Sequence, residues 1–408
     1  MEKFNALEAM ANSRHEFGEH GGVNMSIEAS TAFTVMEAGI MPEIFQGRMG
    51  PDQGGCYLYG RHFNPTVYNL GKQLAAMEGT EAAYCTASGM SAIAAAIIQL
   101  CSPGDHLIAS DTIYGGTFAL FKEFLPAKLG LEVTFVDPTD HDSIKAAFKE
   151  RTRLLYIETV SNPTMKVADI PALAALAHSN NAKLVVDNTF TPMIVSPAQW
   201  GADIVVHSLT KFINGASDII AGAICADTEF INQLMDLHMG ALMLLGPTMD
   251  PNVAFHVSSR LPHLGLRMVE HSQRARTFSL RLEDMSIPVM YPGLESHPQH
   301  EVLKKMAHPE FGFGGLFAID VGTTEKAFDF MNTLQNECQF GYLAVSLGYF
   351  DTLMSCSASS TASEMAVEDL QTAGISPGLV RISIGFTGSL EQRWEQFCLA
   401  LRRVELIN

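Results

Sequence analysis

The chain has 408 residues, of which 47% are hydrophobic and 17% are charged, and 44 acidic against 26 basic residues give a formal net charge of −18. This composition is typical of a globular protein, and the length suffices for two or more domains with a large core. The acidic balance argues against nucleic acid and anionic membranes as partners, because binding their phosphates needs a basic surface.

Residues 1–60 are polar, rich in Gly, Met and Glu, and show little periodicity. We expect them to form an arm that docks on another surface. The segment is charged throughout and lacks the apolar stretch of a secretory signal, and no run in the chain approaches the roughly 20 apolar residues of a membrane span. Seven scattered cysteines without a CxxC pair favour free thiols in a reducing cytoplasm.

Short apolar runs alternate with helix-length segments between residues 61 and 255, which we interpret as one large domain. Continuous apolar strands that alternate with helices predict an α/β fold, with a mostly parallel seven-stranded sheet covered on both faces. The predicted strands are "AAYCT" (82–86), "HLIAS" (106–110), "EVTFV" (132–136), "LLYIE" (154–158), "KLVVD" (183–187), "DIVVH" (203–207) and "IIAGAI" (219–224).

The pattern changes near residue 255. A helical region over about 255–285 is followed by three apolar runs separated by helical segments: "GLFAIDV", "LAVSLG" and "LVRISIG". We expect residues 256–408 to form a smaller α/β domain.

Reactive side chains follow several of the predicted strands. Asp187 closes "KLVVD", Ser208 closes "DIVVHS" with Thr210 and Lys211 directly after it, and Asn162 follows "LLYIETVS". Because ligands of open α/β sheets bind at the carboxyl ends of the strands, we expect these residues to meet at one site.

The junction between "AAYCT" and the next predicted helix has the features of a phosphate site. Ser88, Gly89 and Met90 lie where the helix begins. Free backbone N–H groups at a helix N-terminus attract an anion, and a glycine lets the anion approach closely. The hydroxyl groups of Ser208 and Thr210 are further donors for the same phosphate.

Three more side chains define the rest of the ligand. A buried Asp187 needs a cationic partner, which a protonated ring nitrogen supplies. Tyr114 in "DTIYGGT" follows another strand and can stack on a ring. Lys211 supplies an amine that can attack an electrophilic group of the ligand. An aromatic, phosphorylated electrophile with a basic ring nitrogen is pyridoxal phosphate, with Lys211 as its Schiff-base lysine.

Each of these residues also has a simpler interpretation. A single lysine after a strand is most often a surface residue, a strand-terminal aspartate is often a turn or helix cap, and Ser-Gly before a helix is often just an N-cap. Tyr114 alone is more often a packing residue. The combination of all of them, in this order on alternating strands and helices, favours the cofactor site.

The same motifs resemble those of the Cys/Met-metabolism (trans-sulfuration) family of fold-type-I pyridoxal phosphate enzymes. The resemblance covers nearly the whole chain, and within the family it is strongest to the plant-type branch of the γ-lyases that act on methionine. The segments that carry it are, in order, "YGRHFNPT", "EAAYCTASGM", "SDTIYGGT", "ETVSNPT", "VVDNTF", "HSLTK", "AVSLG" and "LVRISIG".

The resemblance implies a role for each matching residue. Lys211 bonds the cofactor and transfers protons, Asp187 pairs with the ring nitrogen, and Tyr114 stacks on the ring and protonates the leaving thiolate. The implied phosphate contacts are Gly89, Met90, Ser208 and Thr210, with Tyr59 and Arg61 reaching the phosphate of a neighbouring subunit. The implied contacts to the substrate carboxylate are Asn162, Ser346 and Arg381. The resemblance also implies a homotetramer built from two catalytic dimers, in which the N-terminal arm crosses between subunits.

Two positions concern the choice of a small amino-acid substrate. Val345 stands where cystathionine γ-lyases and synthases of the family carry Glu, and an apolar side chain suits the thioether methyl of methionine. Gly116 stands where many bacterial relatives that act on methionine have Cys. The expected reaction is a carbon–sulfur α,γ-elimination of methionine, and the alternatives are cystathionine β- or γ-elimination and O-acetylhomoserine sulfhydrylation. The segment "MSCSASSTASEM" (354–365) also departs from the family pattern.

Other classes of function have less support in the sequence. His297 and His300 are spaced for a metal, but they have no evident third ligand, so we expect no metal site. A non-catalytic homologue acting as a binding protein would be expected to lack Lys211 or Arg381, and both are present.

Overall fold

The computed structural model describes residues 4–13, 17–18, 20–50, 56–356, 370 and 374–407. It contains two sheets. The larger is seven-stranded, in the order β1-β7-β6-β5-β4-β2-β3, and the smaller is five-stranded, in the order β10-β11-β12-β9-β8. The strands are β1 (Ala82–Thr86), β2 (His106–Ser110), β3 (Glu132–Val136), β4 (Thr152–Glu158), β5 (Lys183–Asp187), β6 (Ile204–Ser208), β7 (Gly222–Ala226), β8 (Val289–Met290), β9 (Leu316–Asp320), β10 (Gly341–Leu343), β11 (Thr352–Cys356) and β12 (Leu379–Ser383).

Helices cover both faces of the larger sheet. The α-helices of the described residues are α1 (Ala6–Asn12), α2 (Met41–Phe45), α3 (Pro65–Glu78), α4 (Gly89–Leu100), α5 (Gly115–Ala119), α6 (Leu125–Leu129), α7 (His141–Ala147), α8 (Ile170–Ser179), α9 (Thr228–Leu234), α10 (Ala241–Leu245), α11 (Pro251–Arg260), α12 (Leu264–Asp284), α13 (His300–Met306), α14 (Thr324–Asn332) and α15 (Leu390–Arg403). Of these, α14 and α15 pack against the smaller sheet. In the described part of the chain, none of these helices has the length and apolar character needed to cross a bilayer.

The mostly parallel seven-stranded sheet is confirmed. The strands β2 to β6 are all parallel to one another, and β7 runs antiparallel to both β1 and β6. Four predicted strands match the observed bounds, and the main shift is in the last one, which begins at Gly222 rather than at residue 219. The residues before it are held by Thr210, whose hydroxyl accepts the N–H of Ala221 at 3.1 Å, so the ladder starts one residue later.

Local signals explain the helices that flank the site. Asn64 caps α3 by accepting the N–H groups of Thr66 and Val67, and Gly79 ends the helix in the left-handed conformation with φ 71°. The alternate side chains of the strands then bury two apolar layers, one on each face of the large sheet. The carboxyl ends of β4, β5 and β6 are thereby fixed at one edge.

The C-terminal sheet agrees with the prediction in β9 and β12 and differs in its other strands. "LAVSLG" is not a strand: only Leu343 belongs to β10, and residues 344–350 form a loop. Gly348 has φ +77°, and a side chain on it would meet the backbone N of Phe212 at 2.4 Å, so the segment follows the turn after β6 instead of a sheet. The strands β8, β10 and β11 were not predicted.

The N-terminal region contains a helix that the sequence did not suggest. Ala6 and Met10 of α1 are buried in the core of the large sheet, and α1 packs against α3. By contrast, Val23 and Met36 are almost fully exposed. The predicted boundary after residue 255 lies inside α11, and the division into three units stays a prediction.

Candidate active site

A cavity of about 280 Å³ lies at the carboxyl ends of the central strands. Eleven of the fifteen site residues predicted from the sequence line it: Ser88, Gly89, Met90, Tyr114, Asn162, Asp187, Ser208, Thr210, Lys211, Val345 and Arg381. The tertiary structure therefore brings together residues from the large sheet and from the smaller one. The other lining residues are Ile93, Glu158, Val160, Thr189, Phe190, Ile220 and Leu347.

Lys211 reaches into this cavity from the turn after β6. Its Nζ donates to the Oγ of Ser346 at 3.0 Å. Burial, and then the positive charge of Arg381, lowers the pKa of the Lys211 amine to about 8. At pH 7 roughly a tenth of this amine is therefore neutral and nucleophilic, a far larger share than for an ordinary surface lysine.

Asp187 lies on the neighbouring strand with its carboxylate buried. The hydroxyl of Tyr156 donates to its Oδ2 at 3.2 Å, and the N–H of Thr189 donates to its Oδ1 at 3.0 Å. Burial raises the pKa of Asp187. None of the described residues forms an ion pair with this carboxylate, so a cationic ligand group would stabilise its charged form.

The N-terminus of α4 forms another wall of the cavity. Ser88 is the N-cap, and its hydroxyl accepts the N–H of Ser91 at 3.1 Å in a capping box, so this hydroxyl is already engaged. A Cβ on Gly89 would lie 2.8 Å from the Cβ of Ser208. Glycine is therefore required there, and the turn brings the N-terminal N–H groups of α4 close to Ser208.

Arg381 closes the cavity from the smaller sheet. It is 1% exposed, and its Nη2 donates to the main-chain oxygen of Ser346 at 2.7 Å. Its Nη1 lies 3.5 Å from the Oδ1 of Asn162, and its Nε has no hydrogen-bond partner among the described residues. No described carboxylate pairs with this buried cation, so its positive charge is available to the carboxylate of a ligand.

Tyr114 and Gly116 stand at the mouth of the cavity. Tyr114 is the N-cap of α5 and is 43% exposed. A Cβ on Gly116 would lie 2.7 Å from the Cε1 of the Tyr114 ring and 3.4 Å from the Sδ of Met90. The glycine thus permits the present position of the ring. Val345 is 65% exposed and contributes an apolar surface to the same opening.

Tyr59 and Arg61 do not line the cavity of their own chain. Arg61 lies over the Tyr59 ring, with 5.7 Å from its Cζ to the ring centroid, and its Nη1 donates to the main-chain oxygen of Met243 at 2.8 Å. Their predicted contact with the phosphate of a neighbouring subunit stays a prediction.

The chain was compared with known protein families and with solved structures. The model of the family described as "Cys/Met metabolism PLP-dependent enzyme" matches residues 6–390. The chain belongs to this family. The resemblance stated from the motifs is therefore confirmed.

Several relatives are similar to this chain over most of their length. The methionine gamma-lyase of Arabidopsis thaliana is 57% identical over 397 residues, which is 97% of this chain and 90% of that protein. The L-methionine gamma-lyase of Fusobacterium nucleatum subsp. polymorphum is 38% identical over 90% of this chain and 92% of its own. Among solved structures, a putative O-acetylhomoserine (thiol)-lyase of Campylobacter jejuni has a TM-score of 0.89 and 27% identity, covering 98% of this chain and all of that one, and it carries a pyridoxyl-lysine phosphate.

The residues in the cavity fit pyridoxal phosphate, the cofactor of the family. The buried carboxylate of Asp187 suits its ring nitrogen, and the amine of Lys211 suits its aldehyde. The N-terminus of α4, with Gly89 close to Ser208, suits its phosphate. The chemistry of these three groups is complementary to the three polar parts of the cofactor.

Two functional candidates were missed from the sequence. Glu158 closes β4 beside Asp187 in the sheet register, and Thr189 accepts the N–H of Ser208 at 2.8 Å. The signal for Glu158 was present, because it ends the predicted strand "LLYIE" in the same way that Asp187 ends "KLVVD". Thr189 follows Asp187 by two residues and offered no separate signal.

The described residues contain no group of three or more His, Cys, Asp or Glu that could hold a metal ion. The ring Nδ1 of His300 is hydrogen-bonded to the main-chain oxygen of Pro292 at 2.9 Å, and the Nδ1 of His297 accepts the N–H of Gln299 at 3.2 Å. Both histidines thus have structural partners. Of the segment 354–365, the part from residue 357 onward lies outside the described residues.

Proposed function

We propose that this family member is a carbon–sulfur lyase that converts L-methionine and water into methanethiol, 2-oxobutyrate and ammonia. One observation carries the proposal. The amine of Lys211 and the guanidinium of Arg381 meet at a single residue, Ser346, through its hydroxyl and its main-chain oxygen. An amino acid held by its carboxylate at Arg381 therefore places its α-carbon beside the amine of Lys211.

Each of the residues named has one task in this reaction. Arg381 and Asn162 bind the carboxylate of the substrate, and Lys211 removes the α-proton and then helps remove a β-proton. Tyr114 gives a proton to the sulfur as methanethiol leaves the γ-carbon. When bound, pyridoxal phosphate withdraws electrons and so stabilises negative charge on the substrate carbon. Asp187 keeps the ring nitrogen of the cofactor protonated.

The side chain at position 345 supports methionine over cystathionine. Val345 is exposed at the opening of the cavity, where a distal ammonium group of cystathionine would need a carboxylate. An apolar isopropyl group cannot form that ion pair but can pack against a thioether methyl. The 57% identity to a protein named methionine gamma-lyase supports the same choice. Cystathionine β- or γ-elimination and O-acetylhomoserine sulfhydrylation are the alternatives.

We further propose a cytoplasmic homotetramer built from two catalytic dimers. Arg61 and Tyr59 lie together outside their own cavity, and Tyr59 is 48% exposed. Exposed apolar side chains are close in sequence to their partner Met243, among them Leu244 at 56% and Leu245 at 63%. Burying this surface against a second subunit would bring Tyr59 and Arg61 to the neighbouring phosphate site.

A substrate panel tests the proposed function. The purified holoenzyme is incubated with methionine, with cystathionine, and with O-acetylhomoserine plus sulfide. Release of 2-oxobutyrate and methanethiol from methionine, at a kcat/KM above that for the other substrates, is the expected result. Pyruvate from cystathionine as the main product would instead identify β-elimination, and homocysteine from O-acetylhomoserine would identify a sulfhydrylase.

A further inference from the structure

Glu158 is a buried carboxylate that neither the cofactor nor the proposed reaction has used so far. It is 9% exposed and lines the cavity next to Asp187, its register partner on the adjacent parallel strand. Within the described parts of the chain, it forms no ion pair with a lysine, arginine or histidine. Burial, followed by the charge of Asp187, raises the pKa of Glu158.

The two oxygens of this carboxylate have separate partners. Oε1 accepts the backbone N–H of Tyr114 at 2.7 Å, and Oε2 accepts the backbone N–H of Asn162 at 3.3 Å. Tyr114 is 44 residues away in sequence and is the N-cap of α5, whereas Asn162 follows β4 by four residues. One rigid carboxylate on a central strand therefore connects two loops that carry two different site residues.

A carboxylate suits this task better than a neutral side chain. Both of its oxygens accept hydrogen bonds, so it satisfies two N–H groups at once. A glutamine has one acceptor, and its NH₂ group would face the second N–H donor. A simple loop cap would need only one acceptor and would not require a second carboxylate beside Asp187.

We propose that Glu158 is a positioning residue for the lyase reaction: its carboxylate fixes the distance between Tyr114 and the carboxylate-binding amide of Asn162. This inference rests on the proposed function. The Asn162 side chain points to Arg381, with 3.5 Å from its Oδ1 to Nη1, so a shift of the Asn162 backbone also alters the carboxylate site. A shift of the Tyr114 backbone moves the phenol that protonates the leaving group.

The test compares Glu158→Gln with Glu283→Gln, a control on the exposed surface of α12. Glu158→Gln is expected to lower kcat/KM for methionine at least tenfold, through a higher KM and a lower kcat together, because one of the two buried N–H groups is left without an acceptor. Glycine binds without being cleaved, and its binding is measured through the absorption of the bound cofactor. Its Kd should rise about tenfold. The control variant should match the native protein in each value.

Two further measurements separate positioning from a merely structural role. In an Asn162→Ala background, Glu158→Gln should raise the glycine Kd much less than in the native protein. The Asn162 side chain, through which Glu158 acts on the carboxylate site, is already absent there. A fall in Tm with unchanged KM and glycine Kd, or fully additive effects in the double variant, would overturn the proposal. If Glu158→Gln fails to fold, Glu158→Asp keeps the charge but is too short to reach both N–H groups, and it is subjected to the same measurements.

The glycine experiment also distinguishes this inference from the proposed function. If the native enzyme releases no 2-oxobutyrate from methionine, the proposed function fails. The glycine Kd series still decides whether Glu158 positions the amino-acid site, because it depends on the substrate carboxylate and not on the side chain that is cleaved.

Discussion

Replacing Arg381 by alanine tests the assignment of the amino-acid site most directly. Arg381 is fully enclosed and has no acidic partner among the described residues, so its charge is available to the substrate carboxylate. Losing one member of a buried, hydrogen-bonded charge pair costs about 3–5 kcal/mol. At about 1.4 kcal/mol per factor of ten, kcat/KM for methionine should fall by about two to four orders of magnitude, chiefly through KM.

Arg381→Lys is the matched control variant. It keeps the positive charge but loses the fork, so it should lose one charge-assisted hydrogen bond, or about 1.5–3 kcal/mol. The two variants should also differ in the pKa of Lys211, because the positive charge of Arg381 helps to lower the pKa of that amine. The alanine variant should shift the pH at which Lys211 becomes reactive upward, and the lysine variant should shift it less.

The assay is steady-state release of 2-oxobutyrate from methionine, together with binding of 3-(methylthio)propylamine. This amine has the side chain of methionine without its carboxylate. Arg381→Ala should weaken methionine binding but leave the Kd of the amine nearly unchanged. An unchanged KM for methionine, or an equal loss of binding affinity for methionine and for the amine, would refute the role of Arg381 as the carboxylate site.

Three further predictions concern the residues around the same cavity. Lys211→Ala should abolish turnover and the visible absorption of the cofactor-bound protein; a variant that keeps both would contradict the central assignment. In the cofactor-free native protein, the rate of pyridoxal phosphate attachment should rise with pH and level off above about 8, because the lowered pKa leaves the amine neutral there; a rate still rising steeply at pH 10 would contradict that pKa. Val345→Glu should raise kcat/KM for cystathionine relative to methionine by up to about fivefold, the effect of about 1 kcal/mol for one exposed ion pair, whereas Val345→Ala should leave this ratio unchanged; product analysis by mass spectrometry measures the ratio.

The sequence predicted the large sheet well because its signals are local. Apolar runs separated by helix-length segments can be recognised without knowledge of the fold. Asp187, Ser208 and Lys211 could be placed at one edge because the carboxyl ends of parallel strands meet there. The same rule applied to Glu158, which ends a predicted strand in the same way but was not singled out.

Elements without such local patterns were predicted less well. "LAVSLG" is as apolar as a strand, but it forms a loop because Gly348 packs against the backbone of Phe212. The N-terminal α1 was missed because its buried face consists of little more than Ala6 and Met10, which is too few apolar positions for a helical period to be recognised.

The sequence by itself determined the sheet, the reactive residues at its strand ends and the cofactor that suits them. Only the tertiary structure decided how the two sheets share one site. Ser346 meets Lys211 across 135 positions of sequence, and Arg381 meets Asn162 across 219. Such contacts depend on how the smaller sheet packs against the larger one. That packing is set by the shape and burial of many side chains at once, and no local pattern in the chain encodes it.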